Sequence, residues 1–305
     1  MIPKTKTLIV VAGPTAVGKT AAAIELAKHY NTVVVSADSR QFFREMSIGT
    51  AKPDTQELAE VKHYFIDSHS IAEPFSVGDF EKQGLALLDE LFEVHNHIIL
   101  AGGSGLYIKA ICEGFDDVPK ADPVIRENLN HELEEKGITY LQQKLKLADP
   151  VYYDEVDLDN PQRIIRALEV FESTGKPISS YRQATVNKRP FHIVKLALNL
   201  PREVLYNRIN QRVDIMMQHG LLAEVQGLLP YRQLNALQTV GFTELFDYID
   251  GQITLEKAIE MIKQNTRRFA KRQLTWFRRD AEFHWFQASD ADVIEQMVNT
   301  VSAAS

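Results

Sequence analysis

Short apolar runs alternate with segments of helical period through the first 120 residues. Residues 7–12 (TLIVVA) are apolar and rich in β-branched side chains, the pattern of a buried strand. Residues 20–30 have helical propensity and set Ala23, Ile24 and Ala27 on one side. A second β-branched run at 32–37 ends in Asp38-Ser39-Arg40-Gln41, and residues 61–66 (VKHYFI) predict another strand. Residues 42–53 show no period, and Gly49 and Pro53 mark them as loop. Residues 76–92 predict an amphipathic helix with Phe80, Leu87 and Leu91 at helical spacing, and 97–101 (HIILA) a further core strand. Strand and helix in alternation predict an α/β chain with a parallel sheet flanked by helices.

The texture changes at Asp122. Asp122-Pro123 and Asn160-Pro161 each pair an N-cap with a proline at the first helical position, and Gly137 and Gly175 stop the helices that follow. Residues 139–148 predict a helix with Leu141, Leu145 and Ala148 on one face. Several helices with no strand between them predict a helical insertion domain at 121–190, with the core domain at 1–120 and 191–305. Residues 192–200 return to strand and 204–218 to helix. A turn at Thr239-Val240-Gly241-Phe242 enters a short helix, and residues 284–286 predict a last strand before a peripheral helical tail. In the long helix predicted at 255–279, Ile262, Phe269 and Trp276 recur every seven residues and predict its core side. Arg268, Arg272 and Arg279 fall on another face.

Composition changes this picture little. The 305 residues are 45% hydrophobic and 25% charged, as in ordinary soluble globular proteins. The single cysteine, Cys112, excludes an intrachain disulfide and a zinc site built on cysteines, which fits the cytoplasm. Nothing reads as a signal peptide or a membrane span. A net charge of −7 argues globally against nucleic acid. The stretch 263–279 argues the other way, with seven Lys and Arg and no acid, and nucleic-acid phosphate is its natural partner.

The strongest chemical signal is Gly13-Pro14-Thr15-Ala16-Val17-Gly18-Lys19-Thr20, which fits the P-loop pattern between a predicted strand and a predicted helix. Loop amides and the helix N-terminus make an oxyanion cradle. Lys19 adds a point charge, and the Thr20 hydroxyl can hold Mg²⁺. Asp38, just past the carboxyl end of a strand, faces the same crevice as a helix N-cap, a Mg²⁺ ligand through water, or a functional carboxylate. A second glycine turn, Gly102 to Gly105, approaches that crevice too, with Ser104 as N-cap or ligand contact. Arg208 and Arg212, at i and i+4, could clamp a diphosphate or pair with acids such as Asp214. The strand 97–101 ends in glycines, without the Asp that P-loop NTPases usually carry.

These motifs resemble those of the bacterial tRNA dimethylallyltransferases, also called tRNA isopentenyltransferases. The matching stretches are GPTAVGKT at 13–20, SADSRQ at 36–41, MSIGTAKP at 46–53, FSVGDF at 75–80, AGGSGLYIKA at 101–110, NPQRIIRALEVFESTGKPIS at 160–179 and TRRFAKRQLTWFRR at 266–279. The resemblance implies a P-loop core with a helical insertion. It also implies transfer of a dimethylallyl group from dimethylallyl diphosphate to the exocyclic amine of the adenine immediately 3′ of the anticodon. On this resemblance Asp38 is the proton acceptor, and Lys19, Thr20 and Ser104 complete the catalytic set. Residues 13–20 with Arg208 and Arg212 hold the diphosphate, with Mg²⁺ on Thr20. The anticodon loop meets Asp38, Ser39, Arg40, Gln41 and Ser104, then Arg126, Gln162, Arg163, Ile164, Ile165 and Arg166, and Arg268 and Arg272. A cytoplasmic monomer is expected. Phe43 and Phe242 stand where the family often has Tyr, and Ser104 where it often has Thr. The zinc finger of eukaryotic relatives is not expected in a chain with one cysteine.

Two other readings share parts of this pattern. A P-loop nucleoside or nucleotide kinase shares the fold and the paired arginines but leaves the basic helix unexplained. A nucleotide-gated RNA-binding module explains the basic helix but gives Asp38 no task.

Overall fold

The computed structural model describes residues 6–304 apart from 117, 120, 121 and 183–186. The chain divides into two compact units, Met1–Glu113 with Lys188–Ser305, and Gly114–Asn187. These divisions fall a few residues from the expected 120/121 and 190/191; the first of those lies outside the described residues.

In the first unit six strands form one parallel sheet: β1 (Thr7–Ala12), β2 (Val34–Ser36), β3 (His63–Tyr64), β4 (His97–Gly102), β5 (His192–Asn199) and β6 (His284–Gln287). Their order is β3-β2-β4-β1-β5-β6, with every neighbouring pair parallel. β1 is therefore central and fully buried. Its alternate residues feed two layers, as the pleat requires. Leu8, Val10 and Ala12 join the cluster that holds Phe80, Leu88 and Ile111. Ile9 and Val11 join the one that holds Ile24, Ala27, Leu205 and Met297. Strands β2 and β3 are shorter than the apolar runs around them. Phe65 and Asp67 take positive φ (59° and 52°) directly after β3 and turn the chain off the sheet edge.

The first helices are α1 (Lys19–His29), α2 (Thr55–Glu60), α3 (Val77–Leu91) and α4 (Gly105–Glu113). Helix α2 carries no buried residue, so no apolar period announces it; its signal is the capping box Asp54–Glu57. On α3 the fully buried leucine is Leu88, and Leu87 packs only at the edge of the core.

The second unit holds α5 (Pro123–Lys136), α6 (Ile138–Ala148), α7 (Pro150–Glu155) and α8 (Pro161–Thr174). Asp122 and Asn160 cap α5 and α8, and Gly137 and Gly175 stand at their C-termini. Asp149-Pro150 repeats the same start signal for α7, a helix the apolar pattern does not show. Ile164 and Ile165 are fully buried here with Leu129, Leu141, Leu145 and Leu168. That corrects the expectation that their side chains meet tRNA: they form the apolar stripe of α8, and their neighbours Gln162 and Arg163 are the exposed ones. Arg126 and Arg166 both pair with the buried Glu169, at 2.5 and 3.5 Å. A buried carboxylate needs such partners.

The chain returns to the first unit with α9 (Arg202–Gln218), α10 (Leu221–Gly227), α11 (Thr243–Ile249), α12 (Leu255–Phe277) and α13 (Val293–Ala304). Helices α9 to α12 and the loop at 42–49 share a third apolar cluster. It includes Phe43 and Phe242, so both rings sit among hydrocarbon and neither needs a hydroxyl there. Among the described residues no helix is long and apolar enough to cross a membrane.

Candidate active site

In a parallel sheet all strands end on one edge, and ligands bind outside their carboxyl ends. The P-loop follows β1, Asp38 to Gln41 follow β2, and the second glycine turn follows β4, so three motifs far apart in sequence meet there. They surround a cavity of about 280 Å³. The strand ends contribute Thr15, Lys19, Thr20, Asp38, Arg40, Gln41 and Ser104. The helices contribute Arg212 and, with Val240 from the turn before α11, an apolar wall of Ile209, Val213, Met216, Leu221 and Ile262.

The P-loop is built as the motif demands. A Cβ at Gly13 would lie 2.8 Å from the Leu198 carbonyl of the adjacent strand, and Gly18 takes φ 108°. Lys19 folds back, its Nζ donating to the Pro14 carbonyl at 2.8 Å. Burial pushes the Lys19 ammonium down to about 8; the Asp38 charge raises it and Arg212 lowers it further. Burial likewise lowers the guanidinium pKa of Arg40 and Arg212, against the opposing charge of Asp38. Arg212 donates to the Ala51 carbonyl at 3.3 Å, and no carboxylate pairs with it among the described residues. Arg208 lies outside the cavity lining, against the loop, with Nη1 3.4 Å from the Val17 carbonyl. Asp214 pairs with Lys263, so it neutralises neither arginine. The cavity thus gathers several cations around one carboxylate, an environment for a multiply charged anion.

Asp38 is not a helix cap. Turns follow it, and its Oδ1 accepts the Arg40 amide at 3.0 Å. Ser104 stands beside it: its Oγ accepts the Ser39 amide at 3.0 Å and donates to the Ser39 hydroxyl at 3.2 Å. Gln41 is engaged on both sides of its amide, accepting from the Ser36 hydroxyl and donating to the Thr50 and Ala51 carbonyls. Its amide nitrogen thus ties the residue to the 50–51 loop while the side chain lines the cavity.

Two residues without a local signal hold this site together. Gln273 on α12 accepts the Thr15 amide at 2.8 Å and donates to the Gly103 carbonyl at 2.9 Å, tying the P-loop to the second glycine turn. Glu224 on α10 accepts three successive amides, Ser47, Ile48 and Gly49, at 2.8 to 3.0 Å. It thereby pins the loop whose carbonyls orient Gln41 and Arg212. Glu224→Ala is expected to leave three amides without this acceptor and to cost about 2 kcal/mol of stability. Affinity of the cavity for inorganic diphosphate, a simple multiply charged anion, should fall with it as Arg212 loses its support. Thermal unfolding and ligand titration check this; unchanged values in both would leave Glu224 a surface acid.

Helix α12 departs from expectation on its core side. Its buried residues are Ala258, Ile262, Ala270, Gln273 and Phe277. Phe269 and Trp276 are 39% and 38% exposed, and Phe269 lines the cavity. Arg268 and Arg272 are exposed, with no carboxylate partner among the described residues. Arg126, Gln162, Arg163 and Arg166 belong to the other compact unit.

Residues 41–280 match the family model described as IPP transferase. The tRNA dimethylallyltransferase of Christiangramia forsetii is 54% identical over 298 residues, 96% of this chain and 99% of that one. That of Cytophaga hutchinsonii is 50% identical over 293 residues, 96% of each. The crystal structure of the full-length tRNA isopentenylpyrophosphate transferase from Bacillus halodurans superposes with a TM-score of 0.73 at 38% identity, covering 98% of this chain and 96% of that one. A eukaryotic dimethylallyltransferase acting on tRNA superposes with a TM-score of 0.78 at 25% identity, covering 98% of this chain and 78% of that one. A sheet of this order, a P-loop and Asp38 lining one cavity, and relatives matching over nearly the whole length agree: the chain belongs to the IPP transferase family, that of the tRNA dimethylallyltransferases.

Proposed function

We propose that this chain transfers a dimethylallyl group from dimethylallyl diphosphate to the exocyclic amine of the adenine 3′ of the anticodon in tRNA, releasing diphosphate. The observation that carries this reading is one cavity with a cationic loop, an apolar wall and, among its lining residues, a single carboxylate, Asp38. A diphosphate joined to a short hydrocarbon matches such a lining.

The C1–O bond of the allylic diphosphate breaks and a bond from C1 to the adenine N6 forms. Negative charge grows on the leaving diphosphate, where Lys19, Arg212 and the loop amides stabilise it. The N6 proton passes to Asp38. The adenine must leave the anticodon-loop stack to reach this point. Mg²⁺ fits the donor set in one way. Among the described residues no cluster of three or more acids, His or Cys could hold a metal. The Thr20 hydroxyl would instead share the ion with the substrate's own phosphates. Bound there, Mg²⁺ would neutralise charge on the leaving group. Neither a kinase nor a non-catalytic RNA-binding module accounts for a carboxylate, an apolar wall and a basic helix together.

Radiolabelled dimethylallyl diphosphate, incubated with unmodified tRNA and Mg²⁺, should leave label on the tRNA. Dimethylallyl diphosphate with Mg²⁺ should also raise the melting temperature more than ATP does. No transfer, with stronger stabilisation by ATP, would return the kinase reading. On the RNA side, Arg268→Ala and Arg272→Ala should each raise the KM for tRNA and lower the salt dependence of binding by about one phosphate contact. Wild-type salt slopes in both variants would leave that helix face merely solvated.

A further inference from the structure

Helix α12 exposes two large aromatic rings, Phe269 and Trp276, in the middle of a basic run. Phe269 and Trp276 are seven residues apart, hence on one face and about 10 Å apart along the axis. Arg272, three residues after Phe269 and four before Trp276, lies beside their line rather than on the separate face expected from the period of seven, its guanidinium 5.7 Å from the Phe269 ring. Gln273, on the adjoining row, bonds the P-loop and the second glycine turn, so this strip runs beside the cavity that Phe269 lines.

Trp276 has a seat made for it. A Cβ at Gly105 would lie 2.2 Å from the indole Cδ1 and Nε1. Gly105 is absent from the positive-φ glycines, so what it provides is room rather than an unusual backbone. The indole rests on the backbone at the start of α4 and leaves more than a third of its surface open. Around it Arg268, Lys271, Arg272, Arg278 and Arg279 are exposed, with no carboxylate partner among the described residues. Exposed aromatic faces interleaved with unpaired cations are the chemistry that binds unstacked bases and the phosphates between them.

We infer that Trp276 is a stacking platform for the unpaired base next to the target adenine, with Arg272 on the intervening phosphate. The inference rests on the tRNA reading above. Extruding an adenine from a loop removes the stacking partner of its neighbours, and the open indole face replaces it. Trp276 is thus a binding residue for the RNA and has no part in bond transfer.

The protein holds two tryptophans, so Trp285→Phe leaves Trp276 as the sole indole reporter. An anticodon stem-loop RNA should quench that fluorescence on binding. Two further stem-loops carry an abasic nucleotide immediately 5′ or 3′ of the adenine. One of them should bind about tenfold more weakly and lose most of the quench, the usual effect of removing one base–aromatic stack. In the otherwise wild-type protein, Trp276→Leu should weaken stem-loop binding by a similar factor, with dimethylallyl diphosphate affinity unchanged, and Trp276→Phe should recover most of it. Full quenching by both abasic loops overturns the inference with the protein fold untouched. Wild-type RNA affinity in Trp276→Leu overturns it equally. Failure of the intact stem-loop to bind the wild-type protein would instead overturn the tRNA reading itself.

Discussion

Asp38→Ala should lower kcat by about a hundredfold or more, while tRNA and dimethylallyl diphosphate bind nearly as before. A positioned general base contributes about that much to proton transfer. Asp38 follows β2 and lines the cavity beside Lys19 and Arg212, whose electrostatics it dominates from the acidic side. Its Oδ1 is held by the Arg40 amide at 3.0 Å, and Oδ2 accepts nothing from the described residues. One oxygen fixes the carboxylate and the other is open to a substrate proton. Two other roles give different results. A carboxylate serving Mg²⁺ would show a loss of diphosphate affinity that excess Mg²⁺ restores. A carboxylate that only shapes its turn would cost about 1 kcal/mol of stability and leave turnover alone. Single-turnover kinetics with both substrates saturating separates the three. A near-normal chemical step in Asp38→Ala would remove the residue from the mechanism.

Lys19→Ala should weaken dimethylallyl diphosphate binding and slow turnover together, because in the proposed reaction the ammonium would face the phosphates both before and during bond cleavage. The loss should depend on pH. Burial holds the free Lys19 near 8, well under its ordinary 10.5. Below pH 8 the group is charged and attracts diphosphate; as pH rises through 8 the charge goes. In the wild type, dimethylallyl diphosphate affinity should therefore fall as pH rises from about 7 to 9. In Lys19→Ala that fall should flatten. The same depressed pKa is a stability cost to the empty fold. It is fully present below pH 8 and relieved between 8 and 10.5, where the unfolded chain holds more protons. A bound diphosphate offsets it by raising the pKa again. Identical pH profiles of affinity in wild type and variant would show that Lys19 does not serve the anion.

Much of the site is legible in the chain because its requirements are local. A phosphate cradle needs Gly13, Gly18, Lys19 and Thr20 within eight residues, between a strand and a helix, and no fold can relax that spacing. Asp122-Pro123 and Asn160-Pro161 start their helices, and Gly137 and Gly175 stop them, through bonds a few residues long. Asp38 can be placed at the crevice because every strand of a parallel sheet ends on the same edge.

Other features have no local signature. A period of seven puts Phe269, Trp276 and Ile262 on one line of α12, but period says only which residues share a face, not what covers that face. Both Ile262 and Phe269 border the cavity, but Ile262 is packed against α9 to α11 and buried, whereas Phe269 stays open. The arginines divide the same way. Arg126 and Arg166 answer the buried Glu169, whereas Arg212 faces a cavity without an acid of its own beyond Asp38. Gln273 bonds Thr15 across 258 residues, and Glu224 bonds Ser47 across 177. Contacts of that span arise only when the sheet order brings the strand ends under α10 and α12. The spacing of residues along this chain therefore sets its elements and its phosphate loop, while the packing of α9, α10 and α12 over the strand ends sets which side chains serve the cavity, because burial and pairing are properties of neighbours in space.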